Sequence, residues 1–270
     1  MTNTLIDIGA NLTHESFAPD LDAVLSAAWR AGLSHIIVTG SSRASSREAA
    51  ALAKAHPGRL YSTAGVHPHE ASHFDEHTSG ALRDLYALPE VVAVGETGLD
   101  YNRNYSPVPD QERVFAEQLA LAAETQLPVF LHQRDAHSRF LPILKEQRDQ
   151  LSRAVVHCFT GTREELSDYL DLDLYIGITG WICDERRGQE LQNLVKDIPR
   201  HRLLLETDAP YLQPRTIAPR PKHRRNVPEY LPWVLAQVAV CTGREAEEIA
   251  RETTENARVF FGLDDLARGP

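Results

Sequence analysis

The sequence predicts an α/β protein of the (β/α)8 barrel class, a TIM barrel, that folds as a single domain over residues 1–270. Two observations lead to this fold class. Eight short apolar runs that end in turn-forming residues alternate with amphipathic segments of helical period, which indicates βαβ units and a parallel sheet. Eight units in 270 residues also fit closure into a barrel, which needs about 250 residues.

The predicted strands are rich in Val, Ile and Leu, as expected of strands buried on both faces. In chain order they read LIDIGAN, HIIVTG, LYSTAGVHP, VVAVGETGLD, PVFLHQRD, AVVHCFTG, LYIGITG and LLLETDAP. An open, doubly wound sheet is the structural alternative. It is less favoured because the sequence contains neither G-x-G-x-x-G nor G-x-x-x-x-G-K-[ST].

Helical patterns follow most of these strands and also close the sequence. They predict helices over residues 20–31, 47–56, 111–125, 137–148, 163–170, 188–198, 229–241 and 245–261. There is no low-complexity segment, no linker and no fixed-period repeat, which supports one domain.

Composition excludes several classes of protein. A net charge of −10 is unlike that of a protein that coats nucleic acid. No apolar stretch approaches the ~18 residues of a membrane span, and the N-terminal sequence has no secretory pattern. Three scattered cysteines are too few for a disulfide framework. We therefore expect a cytoplasmic, reduced protein without membrane contact.

Four of the apolar runs end in a residue that can hold a metal or move a proton. These residues are Glu96, His132, His157 and Asp208, at the ends of predicted strands four, five, six and eight. In a barrel these ends share the catalytic face. A His/His/carboxylate set is typical of catalytic metal sites. The four residues are thus predicted metal ligands, with Glu96 and Asp208 also catalytic. Asp208 could instead cap a helix, but Pro210 makes a long helix there unfavourable.

Basic and imidazole side chains follow the same strand ends and are predicted to bind substrate phosphates. They are His67 after strand three, Arg186 and Arg187 after strand seven, and Arg224 and Arg225 within the basic segment 215–225. A solvated basic loop is the simpler interpretation of that segment. Its position shortly after Asp208 favours phosphate binding. Cys158, which follows His157, is predicted to face away from the site into the core.

Long motifs carry a family resemblance. The stretches GVHPH, GETGLDYNRN, FLHQRDAH, VVHCFTGTREE, YIGITGWICDERRG, LLLETDAPYL and RRNVP occur in order between Ile6 and Gly262. They closely resemble the TatD family of metal-dependent deoxyribonucleases, which are barrels related to the amidohydrolases. The resemblance implies metal ligands at Glu96, His132 and His157, a strand-eight acid at Asp208, and exonuclease action from the 3′ end. It implies single-stranded DNA as the substrate, with RNA as a further one, and a role in DNA repair or degradation. We expect a monomer.

Strand one departs from the family pattern. Most relatives carry an H-x-H motif there that supplies two further ligands, whereas this sequence has Gly9 and Asn11. Glycine has no ligating side chain and Asn offers only a neutral oxygen, so strand one is not expected to hold a second metal tightly.

The leading hypothesis is therefore metal-dependent phosphodiester hydrolysis, with Asp208 as general base. Mg²⁺ is the expected metal for activity, and imidazole ligands make Mn²⁺ and Zn²⁺ the alternatives. A metal-dependent deacylase or amidohydrolase acting on a small molecule or an aminoacyl-tRNA is the second hypothesis. A non-catalytic metal- or nucleic-acid-binding barrel is the third. The basic segment favours the first, because a small neutral amide would not require it.

Overall fold

The computed structural model describes residues 4–266 and contains an eight-stranded parallel barrel. Its strands are β1 (Leu5–Ala10), β2 (Leu33–Val38), β3 (Leu60–Ala64), β4 (Val91–Asp100), β5 (Val129–Arg134), β6 (Ala154–Val156), β7 (Tyr175–Ile178) and β8 (Leu203–Leu205). Each strand pairs in parallel with the next one in the chain. The predicted fold class and all eight predicted strands are confirmed.

The barrel closes between β8 and β1 through a short set of hydrogen bonds beyond the end of β8. The Asp208 amide donates to Gly9 O at 2.8 Å, and the Asn11 amide donates to Ala209 O at 2.7 Å. Asp7 is fully buried in β1 and accepts the Thr207 amide at 2.9 Å and the Thr207 hydroxyl at 2.6 Å. Closure therefore depends on a buried carboxylate as well as on the backbone.

Helices follow the strands around the outside of the barrel. They are α1 (Leu21–Arg30), α2 (Arg43–Ala55), α3 (Glu76–Tyr86), α4 (Val108–Thr125), α5 (His137–Gln147), α6 (Arg163–Asp171), α7 (Gln189–Leu194), α8 (Leu231–Thr242), α9 (Ala246–Phe261) and α10 (Leu263–Leu266). All eight predicted helices are present, but α2 and α4 begin a few residues earlier than predicted and the α-helical part of α7 ends earlier. The sequence did not predict α3 or the short α10.

The core has two parts. A large cluster lies between the strands and the helices, whereas a smaller one receives side chains from all eight strands and from α9 and therefore fills the barrel. Phe130 belongs to the inner cluster, and its ring stacks on His157 with 4.7 Å between the centroids. The packed interior thus supports the residues at the C-terminal ends of the strands.

Two composition-based expectations can be compared with the structure. Within residues 4–266, no helix combines the length and the apolar character that crossing a membrane requires. The three cysteines are free.

Candidate active site

Glu96 lies at the centre of three imidazole rings. Its Oε1 is 2.8 Å from His157 Nε2, 2.9 Å from His132 Nδ1 and 3.5 Å from His67 Nε2. Glu96 comes from β4, His132 from β5, His157 follows β6 and His67 follows β3, so four consecutive strands deliver these side chains. The structure brings together the predicted set of Glu96, His132 and His157.

His67 is closer to this set than the sequence indicated. The ligating atoms of His67, Glu96 and His132 all lie within 4.8 Å of one another. His67 precedes a short 3-10 helix, Pro68–His73, whose His69 amide donates to His67 Nδ1 at 3.1 Å. This contact occupies Nδ1 and turns Nε2 toward Glu96. His67 is therefore a candidate ligand as well as a candidate phosphate contact.

The charges of Glu96 and His157 stabilise each other. Burial by itself would raise the pKa of Glu96, but His157, His67 and the hydrogen bond from His132 outweigh it and hold that pKa well below its usual range. Burial would lower the pKa of His157, but the carboxylates of Glu96 and Glu206 outweigh it and raise that pKa well above its usual value. Glu96 is thus an ionised acceptor at the centre of the set.

His132 is held from its other side by Asp100. Asp100 Oδ2 lies 3.6 Å from His132 Nε2 and 2.8 Å from His69 Nε2, while its Oδ1 accepts the Asn102 and Arg103 amides. Burial opposes ionisation of Asp100, yet these hydrogen bonds and those of His132 and His69 lower its pKa. Asp100, at the end of β4, therefore anchors both the ring of His132 and the loop that follows.

Asp208 lies in the same cavity with a different electrostatic character. Burial and the nearby acids Glu96 and Glu206, opposed by His157, raise its pKa to about 7. Asn11 Nδ2 donates to Asp208 Oδ1 at 3.0 Å and to Ala209 O at 3.2 Å, which fixes the carboxylate. Asn11, at one of the strand-one positions that depart from the family motif, thus orients Asp208.

The residues present fit a divalent cation. The set offers a carboxylate oxygen and imidazole nitrogens, which are borderline ligands suited to Zn²⁺ and Mn²⁺ and tolerated by Mg²⁺. His132 Nε2 and His157 Nδ1 are buried without a hydrogen-bond partner among residues 4–266. These two atoms face the carboxylates of Asp100 and Glu206, so the opposite nitrogens, His132 Nδ1 and His157 Nε2, are the ones placed beside Glu96 to ligate an ion.

The cavity above these residues has a volume of about 670 Å³. Tyr105 and Tyr211 line it and are 65% and 52% exposed, which is unusual for tyrosines. Tyr105 packs edge-on against His69, with 4.7 Å between ring centroids, and Trp181 lies under the guanidinium of Arg187 at 4.4 Å. Exposed aromatic faces at a polar cavity can stack unpaired bases.

A second cleft of about 460 Å³ adjoins the first and is lined by arginines. They are Arg186, Arg187, Arg215, Arg220 and Arg224. Arg187 and Leu212 line both cavities, so the two are continuous. Arg187 is paired with Asp184 at 2.9 Å and Arg215 with Glu185 at 2.6 Å. These ion pairs fix the positions of the two arginine side chains in the cleft. Predicted residues Arg186, Arg187 and Arg224 all lie here.

Arg225 differs from the prediction. Its guanidinium forms a bidentate ion pair with Asp20 at 2.6 and 2.9 Å, covers the ring of Phe17, and lines neither cavity. Its charge is therefore used within the fold rather than directed at a substrate phosphate. The contact joins residues 205 positions apart, which no local pattern reveals.

The loop after β8, residues 211–225, is closed at its base. The Asn226 amide donates to Pro210 O at 2.9 Å, and Asn226 Nδ2 donates to Thr207 O at 2.9 Å. Gln213 Nε2 donates to Arg225 O at 3.0 Å. The arginines of the second cleft that belong to this loop are thus carried by a segment whose two ends are fixed to the barrel.

Sequence reasoning missed Glu206 and misjudged Cys158. Glu206 is fully buried next to His157; it stands two residues before Asp208, and the alternation of side chains along β8 was the available signal. Cys158 was predicted to be core, which is wrong: it lines the cavity because its φ of 47° turns the chain just after β6. Burial raises the pKa of the Cys158 thiol well above its usual value.

Comparisons with known proteins agree with this geometry. A family model described as TatD related DNase matches residues 6–262. The 3′-5′ ssDNA/RNA exonuclease TatD of Erwinia tasmaniensis is 54% identical over 259 residues, covering 96% of this chain and 100% of that protein. The exonuclease of the same name from Enterobacter lignolyticus is 52% identical, with 96% and 99% covered. The crystal structure of YjjV, a TatD homologue from Escherichia coli K12, superposes with a TM-score of 0.88 at 30% identity, covering 97% and 99%.

Proposed function

The chain belongs to the TatD-related DNase family and is a hydrolase of the nuclease class, and from this premise we propose that it removes nucleotides from the 3′ end of single-stranded DNA and RNA with a divalent cation. The main observation in support is that Nδ1 of His132 and Nε2 of His157 both lie within hydrogen-bond distance of the same carboxylate oxygen, Oε1 of Glu96. Cytoplasmic action and a role in DNA repair or degradation form part of the same proposal.

Glu96, His132 and His157 are the proposed metal ligands, with Asp208 beside them and His67 as a further candidate. A cation bound there would polarise a phosphodiester and lower the pKa of a bound water from about 15.7 toward 7. We propose Mg²⁺ for activity by analogy with the family, and the imidazole-rich set is equally suited to binding Mn²⁺ or Zn²⁺.

Asp208 is the proposed general base. A base works best when its pKa is near the operating pH, and burial raises the pKa of Asp208 to about 7. Asn11 holds Oδ1 of the carboxylate, which leaves the other oxygen to accept a proton from water. Glu96 is less suited to this role because its pKa is held well below the usual range.

The two cavities support a nucleic-acid substrate. The arginine cleft adjoins the cavity of the proposed metal site and offers several cations that can contact the phosphates of a neighbouring nucleotide. A small neutral amide, the substrate class of the alternative hypothesis, has no group for these cations. Tyr105 and Tyr211 offer exposed ring faces on which unpaired bases can stack, which supports a single-stranded substrate.

The test is cleavage of one single-stranded oligonucleotide labelled at either its 3′ or its 5′ end, with Mg²⁺, Mn²⁺, Zn²⁺ or EDTA. We expect immediate release of labelled mononucleotide from the 3′-labelled strand, and a ladder of shortening products from the 5′-labelled strand. EDTA, Glu96→Ala and His132→Ala should each abolish both.

His73→Ala is the matched control, because the side chain of His73 is 79% exposed and, within residues 4–266, pairs only with Glu70. It should retain full activity. A folded protein that leaves both labelled strands intact with every metal, or a Glu96→Ala variant with the wild-type rate, would contradict the proposal.

A further inference from the structure

Glu206 is a buried acid that the chemistry described above does not use. It directly follows β8 and is fully buried, beside the ring of His157. His157 Nε2 faces Glu96 Oε1 at 2.8 Å, whereas its Nδ1 lies 3.4 Å from Glu206 Oε2. The ring therefore stands between two carboxylates, with one acid at each nitrogen.

Two glycines provide the room for Glu206. A Cβ atom added at Gly9 in β1 would lie 2.7 Å from Glu206 Oε2, and one added at Gly177 in β7 would lie 2.6 Å from Oε1. Both distances are shorter than real Cβ contacts, so a side chain at either position would displace the carboxylate. The space beside Gly9, which stands where the family pattern has a histidine, is filled by Glu206 and by the ring of Phe130, whose Cζ would lie 2.9 Å from the added atom.

The backbone fixes the orientation of this carboxylate. The Cys158 amide donates to Glu206 Oε1 at 2.5 Å, immediately after His157 in the chain. Oε2 then points to His157 Nδ1, and neither of these two buried atoms has a hydrogen-bond partner among residues 4–266. A buried donor and acceptor that face each other without other partners form the natural pair, since leaving both unsatisfied is costly.

We propose that Glu206 is a positioning residue that keeps the proton on Nδ1 of His157 and thereby presents the Nε2 lone pair to the metal site. An imidazole that ligates through Nε2 must release the proton from that nitrogen, and a carboxylate at the other nitrogen fixes which proton remains and how the ring is turned. The part concerning the metal rests on the proposed function, whereas the position of the proton does not.

The decisive variant is Glu206→Gln, which keeps the size of the side chain and reverses its chemistry. The amide oxygen still accepts the Cys158 amide, but the NH₂ group now faces His157 Nδ1 and donates to it. That contact leaves the proton on Nε2, where it blocks ligation. A packing role for Glu206 predicts that Gln is harmless and Ala is harmful, whereas positioning predicts that Gln is at least as harmful as Ala.

The measurement is Mn²⁺ affinity of the full chain by calorimetry, with the fold checked by circular dichroism. Loss of a group that orients a ligand typically weakens metal binding by about 10- to 100-fold, and we expect this for Glu206→Gln. In ¹H–¹⁵N spectra of Zn²⁺-loaded protein, the His157 Nδ1–H signal should be present in the wild type and absent in the variant. Wild-type affinity and an unchanged Nδ1–H signal in Glu206→Gln would overturn the proposal.

Gly9→Ala provides a second route if the Glu206 variants do not fold, because it moves the carboxylate without removing it. We expect weaker Mn²⁺ binding from Gly9→Ala. Gly80→Ala in α3 is the matched control, since a Cβ there meets nothing within 4 Å and should leave affinity unchanged. Equal affinity of both glycine variants would contradict the proposal. If the wild type itself bound no metal while Glu206→Gln still lost the His157 Nδ1–H signal, the positioning would stand and the proposed function would fail.

Discussion

Two carboxylates of the same cavity, Glu96 and Asp208, have pKa values that their surroundings drive in opposite directions. Imidazoles hold the pKa of Glu96 far below its usual range, while burial raises that of Asp208 to about 7. Paired acids that are separated in this way generally have different roles, one as a permanent anion and the other as a group that exchanges protons. This separation at the residue scale underlies the assignment of Glu96 to the metal and of Asp208 to the water.

Asp208→Asn tests that assignment. The amide cannot accept the proton, so we expect kcat to fall by about 10²- to 10⁴-fold, the usual contribution of a general base. Steady-state rates on a single-stranded oligonucleotide provide the measurement. Asp75→Asn is the control, because Asp75 caps α3 through its contact with Thr78 and Asn also caps helices. A loss below tenfold would assign the base elsewhere.

His35, far from the site in β2, links stability to pH. Burial, helped by Arg258 and Arg59, lowers its pKa to about 4, whereas an unfolded histidine titrates near 6.5. Between these values the unfolded chain binds a proton that the folded chain does not. The free energy of unfolding therefore rises with pH in that interval, and the contribution is lost as pH falls from about 6.5 to about 4.

His35→Phe should reduce that part of the pH dependence, because the ring can still stack on Tyr61 and no longer titrates. Urea unfolding of the variant and the wild type at several pH values between 4 and 7 gives the comparison. Parallel curves for the two proteins would show that His35 does not contribute.

At the scale of elements, the sequence could predict where strands four, five, six and eight end, because each of these apolar runs stops at a Glu, His or Asp residue. Glu96, His132 and His157 converge because parallel strands end on one face. In contrast, α3 was missed although it buries Thr78, Ala81, Leu82, Leu85 and Tyr86, because Gly80 and several charged residues interrupt the segment in the sequence. The place of His67 depends on the turn before Pro68, which has no simple sequence pattern.

The loop after β8 is the element expected to determine salt dependence. Arg224→Ala should weaken binding of single-stranded DNA and reduce the slope of log affinity against log salt by about 0.7, the value for one phosphate contact. Fluorescence anisotropy at several salt concentrations, with EDTA to prevent cleavage, measures both. Arg225→Ala is the matched control: it breaks the ion pair with Asp20 and should lower stability while leaving the salt slope unchanged.

Unchanged slopes in Arg224→Ala, or a reduced slope in Arg225→Ala, would contradict this division between the two neighbouring arginines. Their different surroundings also show the limit of sequence reasoning. Both residues lie in one basic run, and only the position of Asp20 on the folded barrel distinguishes them.

At the scale of the whole molecule, the barrel is closed by a contact between the first and last strands that sequence could not reveal. Asp7 and Thr207 are 200 residues apart and fully buried. The sequence predicted eight strands and hence closure, but it did not predict that a carboxylate and a hydroxyl would complete it. The sequence also did not identify Glu206 as a buried acid of the site, because Asp208 in the same LLLETD segment was the more obvious candidate.

Thr207→Val should destabilise the protein by about 1–3 kcal/mol, because it leaves a buried Asp7 oxygen without its donor. The free energy of unfolding in urea measures the effect. Thr242→Val removes a hydroxyl whose hydrogen bonds, among the residues that the structure describes, stay within its own helix α8, and it should cost less. Equal losses would mean that the closing contact contributes nothing beyond the methyl-for-hydroxyl change.

The closed base of the loop over residues 211–225 has a consequence for engineering and evolution. Pro210 and Asn226 are hydrogen-bonded to each other, and Asn226 is also hydrogen-bonded to Thr207. These bonds fix the distance between the two ends of the segment. A segment of different length or charge can replace the part between Leu212 and Arg225, which keeps the cavity residues Tyr211 and Leu212 and the Arg225–Asp20 ion pair in place. The three cleft arginines of this loop, Arg215, Arg220 and Arg224, can therefore be exchanged together as one segment. Substrate preference can therefore diversify while the chemistry below it is inherited unchanged.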